Sequence, residues 1–198
     1  MSETTPPTQV TDSLDASERT LLLKLARQAL EDGVCGRPFT PLYLNELSAR
    51  LRQPGASFVT LTTHGELRGC IGALEASQPL VEDVRQHAVA AALEDFRFPS
   101  VHPEELPFIK IEISRLTTPE LLEYRNPEDL LHQLRPGVDG VVLMDGMRRA
   151  TFLPQVWQKV PEAEIFLGML CRKMGAPSEA WRKKKLTVLT YQVEEFHE

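Results

Sequence analysis

Apolar residues recur along the chain in two rhythms, and the rhythms predict its elements. Leu22, Leu25, Ala26, Ala29 and Leu30 follow a 3.6-residue repeat, which predicts a helix over 15–32 stopped by Gly33. The stretch 33–57 is broken by Gly33, Gly36, Pro38, Pro41, Pro54 and Gly55 and reads as a connector holding one short helix at 45–52. The rhythm then changes. Phe58–Thr63 is β-branched and strand-like, His64-Gly65-Glu66 is a turn, and Leu67–Leu74 returns as the second strand of a hairpin. Pro79 opens a helix over 79–95 whose Leu80, Val84, Ala88, Ala91 and Ala92 share one face. So small a face fits close packing against a sheet.

Period two resumes at Phe108–Ser114, a half-buried strand. Val141–Met144 and Met147–Phe152 flank Asp145-Gly146 as a second hairpin. Residues 161–174 read as a helix ended by Gly175, 177–185 as a short helix, and Leu186–Val193 as the last strand. Hairpins and scattered helices without a repeating βα unit predict an α+β fold, a mainly antiparallel sheet flanked by helices.

Composition narrows the class. A chain of 198 residues buries a core without disulfides or a structural metal. An apolar fraction of 42% with 25% charged residues excludes a disordered, collagenous or disulfide-dense chain. No apolar run approaches the ~20 residues of a membrane span. Residues 1–14 are polar and Pro-rich and lack the basic and apolar regions of a signal peptide, so they read as a flexible tail before a single domain over 15–198. Cys35, Cys70 and Cys171 are odd in number and dispersed, which predicts no disulfide framework, no metal site, no cofactor and a cytoplasmic location. Net charge is −6 but uneven: residues 148–185 carry +6, so the remainder carries −12. Arg182-Lys183-Lys184-Lys185 reads first as a solvated helix end, and second as a patch for phosphate or an acidic partner.

Signatures of phosphate loops, dinucleotide folds, serine hydrolases and zincins are absent. What remains is Leu67–Gly72, L-R-G-C-I-G. Strict alternation puts Arg68, Cys70 and Gly72 on one face of the strand, so Arg68 would bias Cys70 toward thiolate. A strand cysteine is more often a small buried hydrophobe. Gly69 and Gly72 weaken a strand unless something approaches its backbone closely. Asp95 and Arg97 flank a helix end, as a functional pair or as a loop-fixing ion pair. Glu112 and Ser114 share a polar strand face from which a carboxylate could reach Arg68. His64 and His87 are the candidate bases for Cys70, with a structural role the more common fate of such a histidine.

At these residues the chain resembles the AMMECR domain family, specifically protein A of the AmmeMemoRadiSam system. The match runs along about 58–196: F-V-T-L at 58–61, H-G-E-L-R-G-C-I-G at 64–72, A-A-L-E-D-F-R-F at 91–98, I-E-I-S at 111–114, T-F-L-P-Q-V-W at 151–157 and L-C-R-K-M-G at 170–175. The resemblance implies two unequal subdomains, the larger built from both chain ends. It also implies a Memo-like protein and a radical SAM protein as partners, but no established reaction. The matching site positions are Arg68, Gly69, Cys70, Gly72, Asp95, Arg97 and Glu112.

Three functions follow as expectations. The first is an enzyme or enzyme subunit with Cys70 as nucleophile, Arg68 stabilising an anion and Glu112 or Asp95 orienting it. The second is a nucleotide or nucleic-acid module using Arg97, Arg148, Arg149 and 182–185, against which a pI near 5.5 argues for any general nucleic-acid binder. The third is a non-catalytic subunit that binds the Memo-like and radical SAM proteins.

Overall fold

The structure, a computed structural model, describes residues 13–198. The expected tail therefore lies outside the described residues except for Ser13 and Leu14, and Leu14 is buried in the core. Helix α1 spans Ala16–Val34 and starts on a capping box: Asp15 accepts from the Ser17 and Glu18 N–H groups while Glu18 returns to the Asp15 N–H. Gly33 does not stop this helix. It lies in the last turn, where a Cβ would sit 2.7 Å from Val89, and the stop falls to Gly36 at φ +63°. Tight helix packing, not chain reversal, explains the first glycine. The connector holds a 3₁₀ turn at Leu44–Glu46 and the short helix α2, Ala49–Arg52.

Strands β1 (Pro54–Thr63) and β2 (Glu66–Gly72) form the expected hairpin. Its two-residue loop, His64-Gly65, has φ +53° and +85°, the left-handed pair of a type I′ turn. Strand β3 (Gln78–Pro79) leads into α3 (Leu80–Leu93), and a 3₁₀ turn over Pro103–Phe108 leads into β4 (Ile109–Leu116). Next come β5 (Glu120–Leu121) and α4 (Pro127–Gln133), neither of which the periodicity predicts. The helix is too short for an apolar stripe, yet Asn126 caps it and Pro127 opens it, a local signal present in the sequence. Strands β6 (Gly140–Asp145) and β7 (Arg148–Phe152) turn at Gly146-Met147, one residue later than expected. Helices α5 (Ala163–Lys173) and α6 (Ala180–Lys183) precede β8 (Thr187–Tyr191) and β9 (Val193–His197). The predicted last strand thus breaks at Gln192, whose N–H turns to the Thr117 hydroxyl.

The fold is α+β. One sheet runs β2-β1-β4-β9 with β3 on β1, and the other runs β5-β8-β6-β7. The chain forms two compact units, one reaching to Ile113 and taking back Phe196–Glu198, the other Ser114–Glu195. In the first, α1 and α3 bury Leu22, Leu30, Val84 and Ala88 with Val59, Leu61, Ile111 and Ile113 of the sheet. In the second, Trp157 stacks on Phe166 with centroids 3.7 Å apart, and the indole N–H donates to the Asp139 carbonyl. That buried hydrogen bond satisfies the one polar group the ring brings inside.

Candidate functional site

The candidate site is built where β2 meets the segment that follows α3. Strand β2 is the edge of its sheet, and α3 lies against it on the side of Val59, Leu61 and Gly69. At Gly69 the approach is backbone to backbone. A Cβ there would stand 2.0 Å from the Ala91 carbonyl oxygen, so no larger residue fits. Gly72 is equally confined, its Cβ position lying 2.4 Å from both the Phe58 ring and the Ser57 carbonyl. Close backbone approach, one of the expected reasons for glycine in this strand, accounts for both.

The register of the hairpin is interrupted. Leu61 faces Gly69 and Thr62 faces Leu67, which leaves Arg68 as the extra residue of a bulge. The alternation argument that put Arg68 beside Cys70 therefore does not carry across it. Arg68 is buried, and each of its three guanidinium nitrogens donates a hydrogen bond. Nε and Nη2 donate to the two oxygens of Glu105 at 2.8 and 3.0 Å, and Nη1 donates to the Pro99 carbonyl at 2.9 Å. This fork draws Glu105 from its usual 4.5 down to about 2, with the His102 N–H adding to the effect. Glu105, not Glu112 or Asp95, is the carboxylate of Arg68. It lies 37 residues away in the chain, in a stretch without periodicity, so no spacing pointed to it.

Asp95 and Arg97 do pair, and they act on Cys70 through its backbone. Asp95 Oδ2 accepts the Cys70 N–H at 2.9 Å, and Arg97 Nη2 donates to the Cys70 carbonyl at 3.3 Å. Arg97 also grips Asp95 through Nε at 2.9 Å and Nη2 at 2.6 Å. One acceptor and one donor are what a further strand would offer this edge, so the pair replaces a strand at Cys70. Asp95 is buried, and the Arg97 guanidinium holds its carboxyl well below the usual carboxylate range despite that burial.

The Cys70 side chain points the other way from α3. Cys70 faces Thr60 across the hairpin, and the Thr60 hydroxyl donates to Sγ at 3.3 Å. The thiol residue is half-buried, and among the described residues this is its one side-chain hydrogen bond. Glu112 is half-buried on β4 between the core residues Ile111 and Ile113, so alternation puts it on the Cys70 face of the sheet. Neither candidate histidine bonds the thiol. His64 stacks on Phe108 at 5.7 Å, and His87 Nδ1 lies 3.2 Å from Asp83, which also accepts the buried Ser57 hydroxyl at 2.6 Å. Arg149 is on β7 and belongs to the other unit. Cys35 is exposed, and Cys171 is buried, which pushes its thiol up.

The arrangement thus fixes backbone firmly, and among the described residues no histidine bonds the thiol. Its most conspicuous exposed feature is Phe96, 95% accessible between the anchored Asp95 and Arg97. Among the described residues no group of three His, Cys, Asp or Glu is placed to hold a metal ion, and no helix is long and apolar enough to cross a membrane.

A family model described as AMMECR1 matches residues 23–196. A protein of Methanothermobacter thermautotrophicus is 40% identical over 190 residues, covering 93% of this chain and 96% of its own. One of Thermofilum pendens is 37% identical, covering 93% and 92%. A crystal structure of an uncharacterised protein from Pyrococcus horikoshii superposes with a TM-score of 0.69 at 34% identity, over 90% of each chain.

Proposed function

The chain belongs to the AMMECR1 family, and we propose that it works there as a partner-binding subunit whose R-G-C-I-G strand is architectural. The observation that carries this reading is Phe96. A phenyl ring 95% exposed is costly in water, and here it sits between two residues locked to the edge of β2. A rigid, pre-positioned aromatic is the kind of anchor that fills a pocket on a partner. Both charged locks, Arg68–Glu105 and Asp95–Arg97, serve to hold this segment rather than to charge a substrate. The partners in this reading are the Memo-like and radical SAM proteins that the sequence resemblance implies. Three unpaired thiols fit a cytoplasmic, reducing setting.

Co-expression with each tagged partner tests it. Wild-type protein should co-purify with at least one of them, and Phe96→Ala, at an exposed position, should fold normally yet be lost from the complex. Retention of Phe96→Ala at wild-type yield would sink the proposal.

A second reading keeps Cys70 as a nucleophile. It is favoured by the half-buried thiol sharing a sheet face with the Thr60 hydroxyl and Glu112. Glu112 would take the proton and the Thr60 hydroxyl would orient the sulfur. The nucleic-acid reading has less support, because Arg182, Lys184 and Lys185 each lie against a carboxylate: Glu164, Asp145 and Glu123.

A further inference from the structure

The β6–β7 hairpin ends in a feature that the partner reading at Phe96 leaves unused. Its loop is Gly146-Met147, with Gly146 at φ +62° in the first loop position, as a type II′ turn requires. Met147 at the tip is completely exposed, at 103%. Nothing in the fold needs a large apolar side chain at that point. Methionine and arginine are enriched where proteins meet, and methionine adapts its shape to what it touches.

Cations are pinned around this tip. Arg148 reaches Asp145 at 2.8 Å and the Gly175 carbonyl at 3.2 Å, which ties the hairpin to the end of α5. Lys184 reaches Asp145 at 2.6 Å from the end of α6. Lys173 reaches the Thr151 carbonyl at 2.9 Å and lies over the Phe152 ring at 5.0 Å. Arg148 and Lys184 thus share a single carboxylate, and Lys173 is held by a carbonyl and a ring. The exposed Lys183 adds a further cation, for which no ion pair is seen among the described residues. The face keeps an excess of positive charge, and its side chains are already held in place, so less ordering opposes binding.

We infer that the β6–β7 tip, with the ends of α5 and α6, docks an acidic segment of a partner protein that carries an apolar residue for Met147. The charge around the tip is complementary to carboxylates: Arg148, Lys173, Lys183 and Lys184 lie around it, and the Asp145 carboxylate offsets one of these four charges. A long phosphate polymer is disfavoured because the chain outside 148–185 carries −12 and repels it. A short acidic segment meets only the basic face. This inference is independent of the Phe96 reading.

Fluorescence anisotropy of the full chain with a labelled glutamate-rich peptide bearing a central leucine pair tests it. Single-stranded RNA and phosphatidylserine vesicles serve as competing probes. The peptide should bind saturably and weaken at least roughly tenfold between about 0.05 and 0.5 M salt. The double variant Lys183→Glu, Lys184→Glu should weaken it roughly tenfold or more, and Met147→Ser about threefold or more. Lys24→Glu on α1 and Phe96→Ala should leave it unchanged, which separates this face from net charge and from the Phe96 anchor. No saturable binding at low salt overturns the inference. So does an equal loss in Lys24→Glu, an unaffected Met147→Ser, or tighter binding of RNA or vesicles than of the peptide.

Discussion

Gly69 and Arg68, adjacent in the chain, do opposite things with space. Gly69 lets the Ala91 carbonyl come to 2.0 Å of where a Cβ would be, and Arg68 fills space with a guanidinium whose three nitrogens each donate a hydrogen bond. Gly69→Ala must push α3 away from the sheet, and a loss of about 3 kcal/mol is expected in urea unfolding. The Arg68–Glu105 pair carries a pH signature. The folded carboxyl is depressed from 4.5 to about 2, so its stabilisation is complete above pH 4.5 and disappears as pH falls toward 2. Glu105→Gln should be less stable than wild type by about 2 kcal/mol at pH 7, and the difference should shrink through that window. A constant difference from pH 7 to pH 2 would show that the charge of Glu105 does not matter. The glycines were legible as sites of close approach because a strand tolerates them poorly otherwise. The partner of Arg68 was not, because a contact spanning 37 residues between a bulge and an irregular loop leaves no periodic trace.

Among the elements, the edge of β2 is where local sequence and tertiary structure meet. Long elements with a clear period were readable: α1, α3, α5 and both hairpins lie within a few residues of their predicted spans. Short pieces were not. β5 has two residues, α4 has seven, and the break at Gln192 depends on Thr117 from another part of the chain. The bulge was also hidden, since one extra residue leaves the apolar pattern of β2 almost intact while changing which side chains share a face. The Asp95–Arg97 pair, readable only as a pair, proves to cover the strand edge at Cys70. Asp95→Ala should expose that edge. The Cys70 amide should then exchange with deuterium at least roughly tenfold faster, with Val59 and Leu61 amides in the neighbouring strand much less affected. Unchanged protection at Cys70 would mean that Asp95 is not what shields it.

At the scale of the molecule, the family is shown by 40% identity across nearly the whole chain and by a family model over 23–196, while the α+β architecture follows from the two sheets. Function depends on whether this architecture displays a surface or activates a thiol. Each cation near Cys70 is bound to its own carboxylate, no imidazole reaches Sγ, and the exposed group of the site is a phenyl ring. The account therefore predicts a protein in which Cys70 is an ordinary, partly covered thiol. Iodoacetamide labelling of the native protein across pH 6–9, read peptide by peptide, tests that directly, with exposed Cys35 and buried Cys171 as internal references. Cys70 should label more slowly than Cys35 at every pH and faster than Cys171, and Arg68→Ala should not slow it. Labelling of Cys70 ahead of Cys35 near neutral pH, slowed by Arg68→Ala, would contradict the account and make the thiol the centre of the site.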